Sequence, residues 1–130
     1  SLIGRIFLQP KTRFNLYSTE QLLSEIEEHK SKLKRISKFN DGDLNKSISL
    51  ITHKIRFINI GLIPKEKYLL AESLTQNIDI DDTEFIALTE HIHGKFWSGD
   101  KSLRDGLQKK KWNKFVTTDE LFKIISSKRR

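Results

Sequence analysis

Apolar residues recur along this chain in two rhythms: long stretches with one every three or four positions, and short unbroken runs between them. The first rhythm predicts helices with one buried face, and the second predicts strands. "SLIGRIFLQ" sets Leu2, Ile3, Ile6 and Phe7 at helical spacing and stops before Pro10, whose ring cannot continue a helix. "RFNLY" (13–17) predicts a short strand, and Ser18 with Gln21 forms a capping-box pattern ahead of a helix over 19–39. That helix would carry Leu22, Ile26, Leu33 and Ile36 on one side.

"FNDGDLN" breaks the pattern, and "LNKSISLITHKI" resumes it as a third helix. "RFINIGL" (56–62) has strand length. Pro64 suits the first turn of a helix in "KEKYLLAESLTQ", whose expected buried members are Tyr68, Leu69 and Leu74. An acid cluster then opens a helix over Phe85 to His93, followed by "KFWSG" as a strand, "KSLRDGLQKKK" as a helix and "KFVT" as a strand. Thr117 and Glu120 form a second capping-box pattern before "LFKIIS", and the "SSKRR" end is expected to be frayed. Helices and short apolar strands alternate with few hairpin signals, which predicts an α/β domain with a mostly parallel sheet. At 130 residues the chain has the size of a single domain, 1–130.

Composition narrows the chemistry. No cysteine is present, which excludes a disulfide, a thiolate nucleophile and a cysteine-ligated zinc, and leaves carboxylates, histidines, hydroxyls or a hard metal. The 24 Lys and Arg against 17 Asp and Glu give a formal net charge of +7, which favours a polyanionic partner such as nucleic acid. No apolar run approaches the roughly 20 residues of a membrane-spanning helix, and the expectation is a soluble, cytoplasmic protein without a membrane partner.

Against this basic background, "DIDDTE" collects Asp79, Asp81, Asp82 and Glu84 in six residues. Ligands of open parallel sheets bind beyond the carboxyl ends of the strands. Asp100 follows directly on "KFWSG", Asp82 starts the helix before that strand, and Glu25 lies in the helix after "RFNLY". Three carboxylates drawn together repel, so such a site needs a cation, most simply Mg²⁺ or Mn²⁺. Each acid also has a plainer reading, as a helix cap or a solvated helix residue; their joint occurrence is what makes a site competitive.

"DIDDTEFIALTEHIHGKFWSGDKSL" (79–103) resembles the C-terminal signature of PIN-domain ribonucleases, the group that includes VapC-type toxins. It has an Asp-rich helix start, "FIAL", then an aromatic, Ser, Gly, Asp and Lys. "LYSTEQLLSEIEEHK" resembles the family's second segment, a strand followed by a helix bearing one acid. The resemblance implies a three-layer α/β/α domain in which Glu25, Asp82 and Asp100 are catalytic, metal-site acids. Ser98 would be the hydroxyl that helps hold the site or its water. Asp79, Asp81 and Glu84 would be neighbours, Asp105 an outer acid, and Glu28 the alternative to Glu25. The family begins with a central strand ending in an aspartate, whereas this chain starts inside what corresponds to the first helix. Its first acid is Glu20. The first strand and its aspartate are thus expected to be missing from this chain through N-terminal truncation, a degenerate family member being the other explanation.

The activity implied is a Mg²⁺- or Mn²⁺-dependent endoribonuclease that leaves 5′-phosphate and 3′-hydroxyl ends, with a possible toxin role, an antitoxin partner and a homodimer among the expectations. RNA-binding candidates are Lys30, Lys34, Arg35 and Lys101, with Lys32, Lys109 to Lys111 and Lys114 as further members; singly, each also reads as a solvated helix residue. Trp97 and Trp112 could stack on bases, but their settings favour the core. The "HIH" at 91–93 is a poor zinc site, because residues two apart do not share a helix face. The competing class is a non-catalytic RNA-binding or partner-binding domain of the same fold.

Overall fold

Short strands that must run parallel require crossovers of a dozen residues or more, and the helix-rich connections of this chain supply them. The computed structural model describes residues 14–127; the helix expected over 2–7 and the end at 128–130 lie outside the described residues. Strand β1 (Leu16–Ser18) pairs in parallel with β2 (Ile55–Phe57), in the register Leu16 to Ile55, Tyr17 to Arg56 and Ser18 to Phe57. Between them run α1 (Gln21–Glu28), α2 (Lys30–Ser37) and α3 (Asp41–His53). A 3₁₀ turn (Ile60–Leu62), α4 (Lys65–Thr75), a second 3₁₀ turn (Ile80–Asp82) and α5 (Thr83–Ile92) lead to β3 (Phe96–Trp97). Helix α6 (Lys101–Lys109) then crosses over to β4 (Phe115–Val116), which is parallel to β3, and α7 (Thr118–Ser127) follows.

The fold is α/β and both ladders are parallel, as the alternating pattern predicted. Continuity differs from the expectation of one central sheet: among the described residues the ladders form two separate two-stranded sheets. The two meet across a cavity of about 590 Å³, whose wall includes Leu16 to Ser18 of β1, Phe96 and Trp97 of β3, and apolar side chains such as Ile26, Ile51, Phe85 and Ile92. A strand edge carries backbone donors and acceptors that require partners when they leave water, so this gap bears on everything built above it.

The main core lies under α4, α5 and α6: Ile63, Ala71, Leu74, Ile86, Ala87, Leu88, Leu103, Leu107 and Trp112 are all buried together. Val116, Leu121 and Ile125 form a smaller cluster with Phe14 and Trp97. Burial of a large aliphatic side chain is worth about 1.5–3 kcal/mol, which makes the α4–α5–α6 layer the main source of apolar stabilisation.

Local departures have identifiable causes. The helix expected over 19–39 breaks at His29 (φ −100°, ψ 13°), where no apolar residue between Ile26 and Leu33 holds the face inward, and Ile36 ends 68% exposed. The capping box of Ser18 with Gln21 does not form. Ser18 belongs to β1 and is buried, Glu20 occupies the N-cap position without a side-chain cap, and the Gln21 amide points elsewhere. Helix α3 starts earlier than expected because Asn40 caps it by accepting from the Asp43 N–H at 2.8 Å. In α4 the inner face carries Ala71, Leu74 and Thr75, which leaves Leu69 exposed, contrary to the expected burial. The second capping box forms as predicted: the Thr117 N–H donates to Glu120 Oε1 at 3.0 Å, and the Glu120 N–H donates to Thr117 Oγ1 at 3.1 Å.

Candidate acidic site

The loop bearing the acids is shaped by buried hydroxyls. Thr75 is fully buried, its Oγ1 bonds the Ala71 carbonyl at 3.0 Å and meets Thr83 Oγ1 at 2.7 Å, and Thr83 Oγ1 donates to the Ile80 carbonyl at 2.7 Å. The Thr75 carbonyl accepts from both the Ile78 and the Asp79 N–H. The chain therefore turns sharply into the 3₁₀ segment at Ile80, with Asp79 accepting from the Asp81 N–H at 3.0 Å. In a 3₁₀ turn side chains three apart eclipse, and this brings Asp79 and Asp82 together. Gln21 of α1 ties the loop to the other half of the molecule by donating to the Asp81 carbonyl, sixty positions away in sequence.

Electrostatics connects the three acids singled out from sequence. Asp82 is pushed up from 3.8 to about 7, first by burial, then by the charge of Asp79 and a hydrogen-bonding contact with its carboxyl group, then by Glu25 and Asp100. Glu25 is raised as well, by burial and then by Asp81, with Glu28 and Asp79 adding to the effect and His29 opposing it. Glu25 and Asp82 both line the large cavity. Asp100 caps α6, accepting from the Leu103 N–H at 3.0 Å, and its own N–H donates to Ser98 Oγ at 3.1 Å. Ser98 thus holds the turn that presents Asp100.

The structure places Glu25, Asp82 and Asp100 in one electrostatic neighbourhood, with Asp79 and Asp81 inside it. Among the described residues, no three of Asp, Glu, His or Cys converge closely enough to hold a metal ion. The donor chemistry nevertheless fits a hard divalent cation, which would relieve the repulsion that contributes to raising Asp82 and Glu25. Two participants were underrated in the sequence. Asp79 is a direct partner of Asp82, a relation that the i, i+3 spacing could have signalled, whereas nothing local announces Gln21 as the tie between α1 and the loop.

The basic candidates divide. Arg35 and Lys101 are exposed, Lys101 beside Asp100 at the start of α6. Lys30 lies 3.8 Å from Glu27, and Lys34 pairs with Asp41 at 2.9 Å, both on the surface. Lys114 is committed to the buried Glu90, and Lys110 donates to the carbonyls of Ser73, Leu74 and Gln76 at 3.2, 2.9 and 2.9 Å, gripping the end of α4. Both have structural partners within the chain. Trp112 is buried, with its Nε1 donating to Glu90 Oε2 at 3.0 Å, and Trp97 Nε1 donates to Thr118 Oγ1 at 3.0 Å, so both indoles serve the core as their settings indicated.

The molecule is thus an α/β domain with parallel ladders and acids that influence one another's ionisation in the loops around them. A PIN-domain model matches residues 1–121, and the chain belongs to the PIN-domain family. Members of that family are in general nucleases and typically use divalent metal ions, which places this chain among enzymes acting on nucleic acid. No curated protein and no solved structure matches the chain significantly. Among the described residues, no helix is long and apolar enough to cross a membrane.

Proposed function

We propose that this chain is a metal-dependent endoribonuclease of the VapC-toxin-like kind, hydrolysing RNA phosphodiester bonds in the cytoplasm. The observation that carries the reading is Asp82, a half-buried carboxyl raised to about 7 in the combined field of Asp79, Glu25 and Asp100. Structural ion pairs usually lower a carboxyl; carboxylates that raise one another mark a functional site. Asp82, Asp100 and Glu25 are the residues that would hold Mg²⁺ or Mn²⁺, with Asp79 as an additional oxygen donor. Such an ion supplies an acidified water and stabilises charge developing on the phosphate.

The remaining roles belong to the chain itself. Ser98 fixes the turn that aims Asp100. Gln21 holds the Asp81 backbone and with it the spacing between α1 and the acid loop. Lys101, exposed next to Asp100, draws the RNA backbone toward the acids. An antitoxin that covers the acids and a homodimer belong to the same proposal.

A second reading, a non-catalytic RNA-binding domain, is favoured by one observation: three acids do not converge among the described residues. Cleavage of single-stranded RNA with Mg²⁺ or Mn²⁺ separates the two. The nuclease reading expects cleavage by the protein and its loss, by two orders of magnitude or more, in Asp100→Asn with RNA binding retained. Cleavage untouched by that substitution refutes the assignment, and tight binding without any cleavage establishes the second reading.

A further inference from the structure

The acids have a consequence for any RNA-cleaving site: a carboxylate cluster repels the phosphate backbone it must receive, so the strand needs cationic anchorage close by. Four lysines are already engaged, Lys30, Lys34, Lys110 and Lys114 being held by partners within the chain. Among the described residues, Lys54 and Arg56 form no ion pair. They share the wall of a second concavity of about 220 Å³, where the end of α3 meets the first residues of β1 and β2.

Besides Lys54 and Arg56 that wall presents Asn15, Tyr17, His53 and the apolar Leu16 and Ile55, and among the described residues no carboxylate. The Arg56 guanidinium lies over the Tyr17 ring, 5.9 Å from its centre, so a planar cation and an aromatic face are presented together. Tyr17 is 36% exposed, and Lys54, Arg56 and His53 are exposed as well. His53 Nδ1 sits 2.7 Å from the Ser49 carbonyl and donates to it, which leaves Nε2 free to accept. Two of these features have local explanations. Lys54 and His53 complement the carboxyl end of α3, and Arg56 faces Tyr17 as its register partner. Neither explanation requires the three basic residues and the ring to surround one concavity.

That concavity shares part of its wall with the large cavity, at the amino ends of β1 and β2. Asn15, Leu16, Tyr17 and Ile55 line both it and the large cavity, whose wall also holds Glu25 and Asp82. We propose that the concavity is an anchoring subsite for one nucleotide of single-stranded RNA, further along the strand from the nucleotide presented to the acids. Lys54 and Arg56 contact phosphate oxygens, the base stacks on the Tyr17–Arg56 pair, and Asn15 with His53 Nε2 meets polar edges of base or sugar. The inference rests on the reading of the acids as an RNA site, which it deepens by naming where the strand is held.

The test is binding without cleavage. Labelled oligouridylate is titrated against the Asp82→Asn chain in EDTA over a series of salt concentrations, with and without Lys54→Gln and Arg56→Gln together. Two lost phosphate contacts reduce the slope of log affinity against log salt by about 1.4 and weaken binding roughly 10- to 30-fold at 0.1 M salt. Arg56→Lys keeps the slope and loses part of the affinity, because the charge stays and the planar stack does not. Should the double variant melt early, Lys54→Gln alone decides, with a slope change of about 0.7. Affinity within twofold and an unaltered slope in a folded variant overturn the subsite, as does failure of the parent to bind. Cleavage by the unsubstituted chain is measured in parallel. Binding that depends on Lys54 and Arg56 without cleavage removes the nuclease reading and leaves the subsite standing; cleavage with indifferent binding does the reverse.

Discussion

Replacing Asp82 with Asn should stabilise the protein at alkaline pH, an unusual direction for a residue assigned to a catalytic site. Asp82 titrates near 7 in the folded chain against 3.8 as its ordinary value, because burial, Asp79, Glu25 and Asp100 all oppose its charge. A carboxyl whose folded pKa is raised favours the folded state while protonated. Its contribution is complete below about pH 4, declines as pH rises, and is lost above about pH 7. The full shift would correspond to about 4 kcal/mol, but the side chain is only half-buried, and solvent screening brings a realistic figure to roughly 1–2 kcal/mol. Asn is neutral at every pH and can still donate to the Asp79 carboxylate. With an unfolding entropy of about 2.1 cal/mol/K per residue, the gain amounts to roughly 4–7 °C in Tm for a chain of this length. The assay is thermal melting followed by circular dichroism in EDTA at low salt, from pH 4 to pH 8.5. The difference between Asn variant and parent should open between about pH 4 and pH 7 and close near pH 4. A variant no more stable at pH 8, or a difference independent of pH, refutes the account of Asp82. Mn²⁺ should raise the parent at pH 8 and have less effect on the variant, since binding to the folded state alone stabilises it.

Two further predictions concern the scaffold. Thr117→Ala removes one half of the reciprocal cap on α7 and should cost about 0.5–2 kcal/mol, read as a fall in Tm with cleavage and RNA binding kept. Glu90→Gln should destabilise by about 1–3 kcal/mol in a urea titration, because Glu90 is buried, its hydrogen bonds from Lys114 and Trp112 hold its pKa down against the opposing effect of burial, and the neutral amide leaves Lys114 without its counter-charge. Parent stability arising from Glu90 is present above the ordinary carboxylate range and is lost as pH falls through it, opposite in sign to the Asp82 contribution.

Elements with strong local chemistry were legible before the fold. The cap of Thr117 with Glu120 needs only residues three apart, and the strands at "KFW" and "KFV" needed only short apolar runs. Glu25, Asp82 and Asp100 were singled out from the sequence alone, Asp82 and Asp100 at helix starts and Glu25 within α1. Illegible were features decided by distant partners. Ser18 could have capped a helix or ended a strand, and its pairing opposite Phe57 made it the latter. Lys110 and Lys114 look like members of a basic run until Glu90 and the end of α4 claim them. Leu69 and Ile36 fit an apolar periodicity, yet the face that turned inward was set by the neighbouring helix rather than by the residues themselves.

Helix α6 has a mechanical meaning beyond its place in the core. At one end it carries Asp100; just past the other, Lys110 clasps the carbonyls of Ser73, Leu74 and Gln76, the last residues before the chain swings round to Asp79. Midway, Gly106 lies so close to Ile78 that a Cβ there would sit 3.0 Å from its side chain. The two acidic stretches are therefore the ends of a closed linkage braced by one rod roughly 13 Å long. In such a linkage the separation of Asp82 and Asp100 is a property of the brace, and a displacement at Lys110 is felt as a change of gauge at the acids.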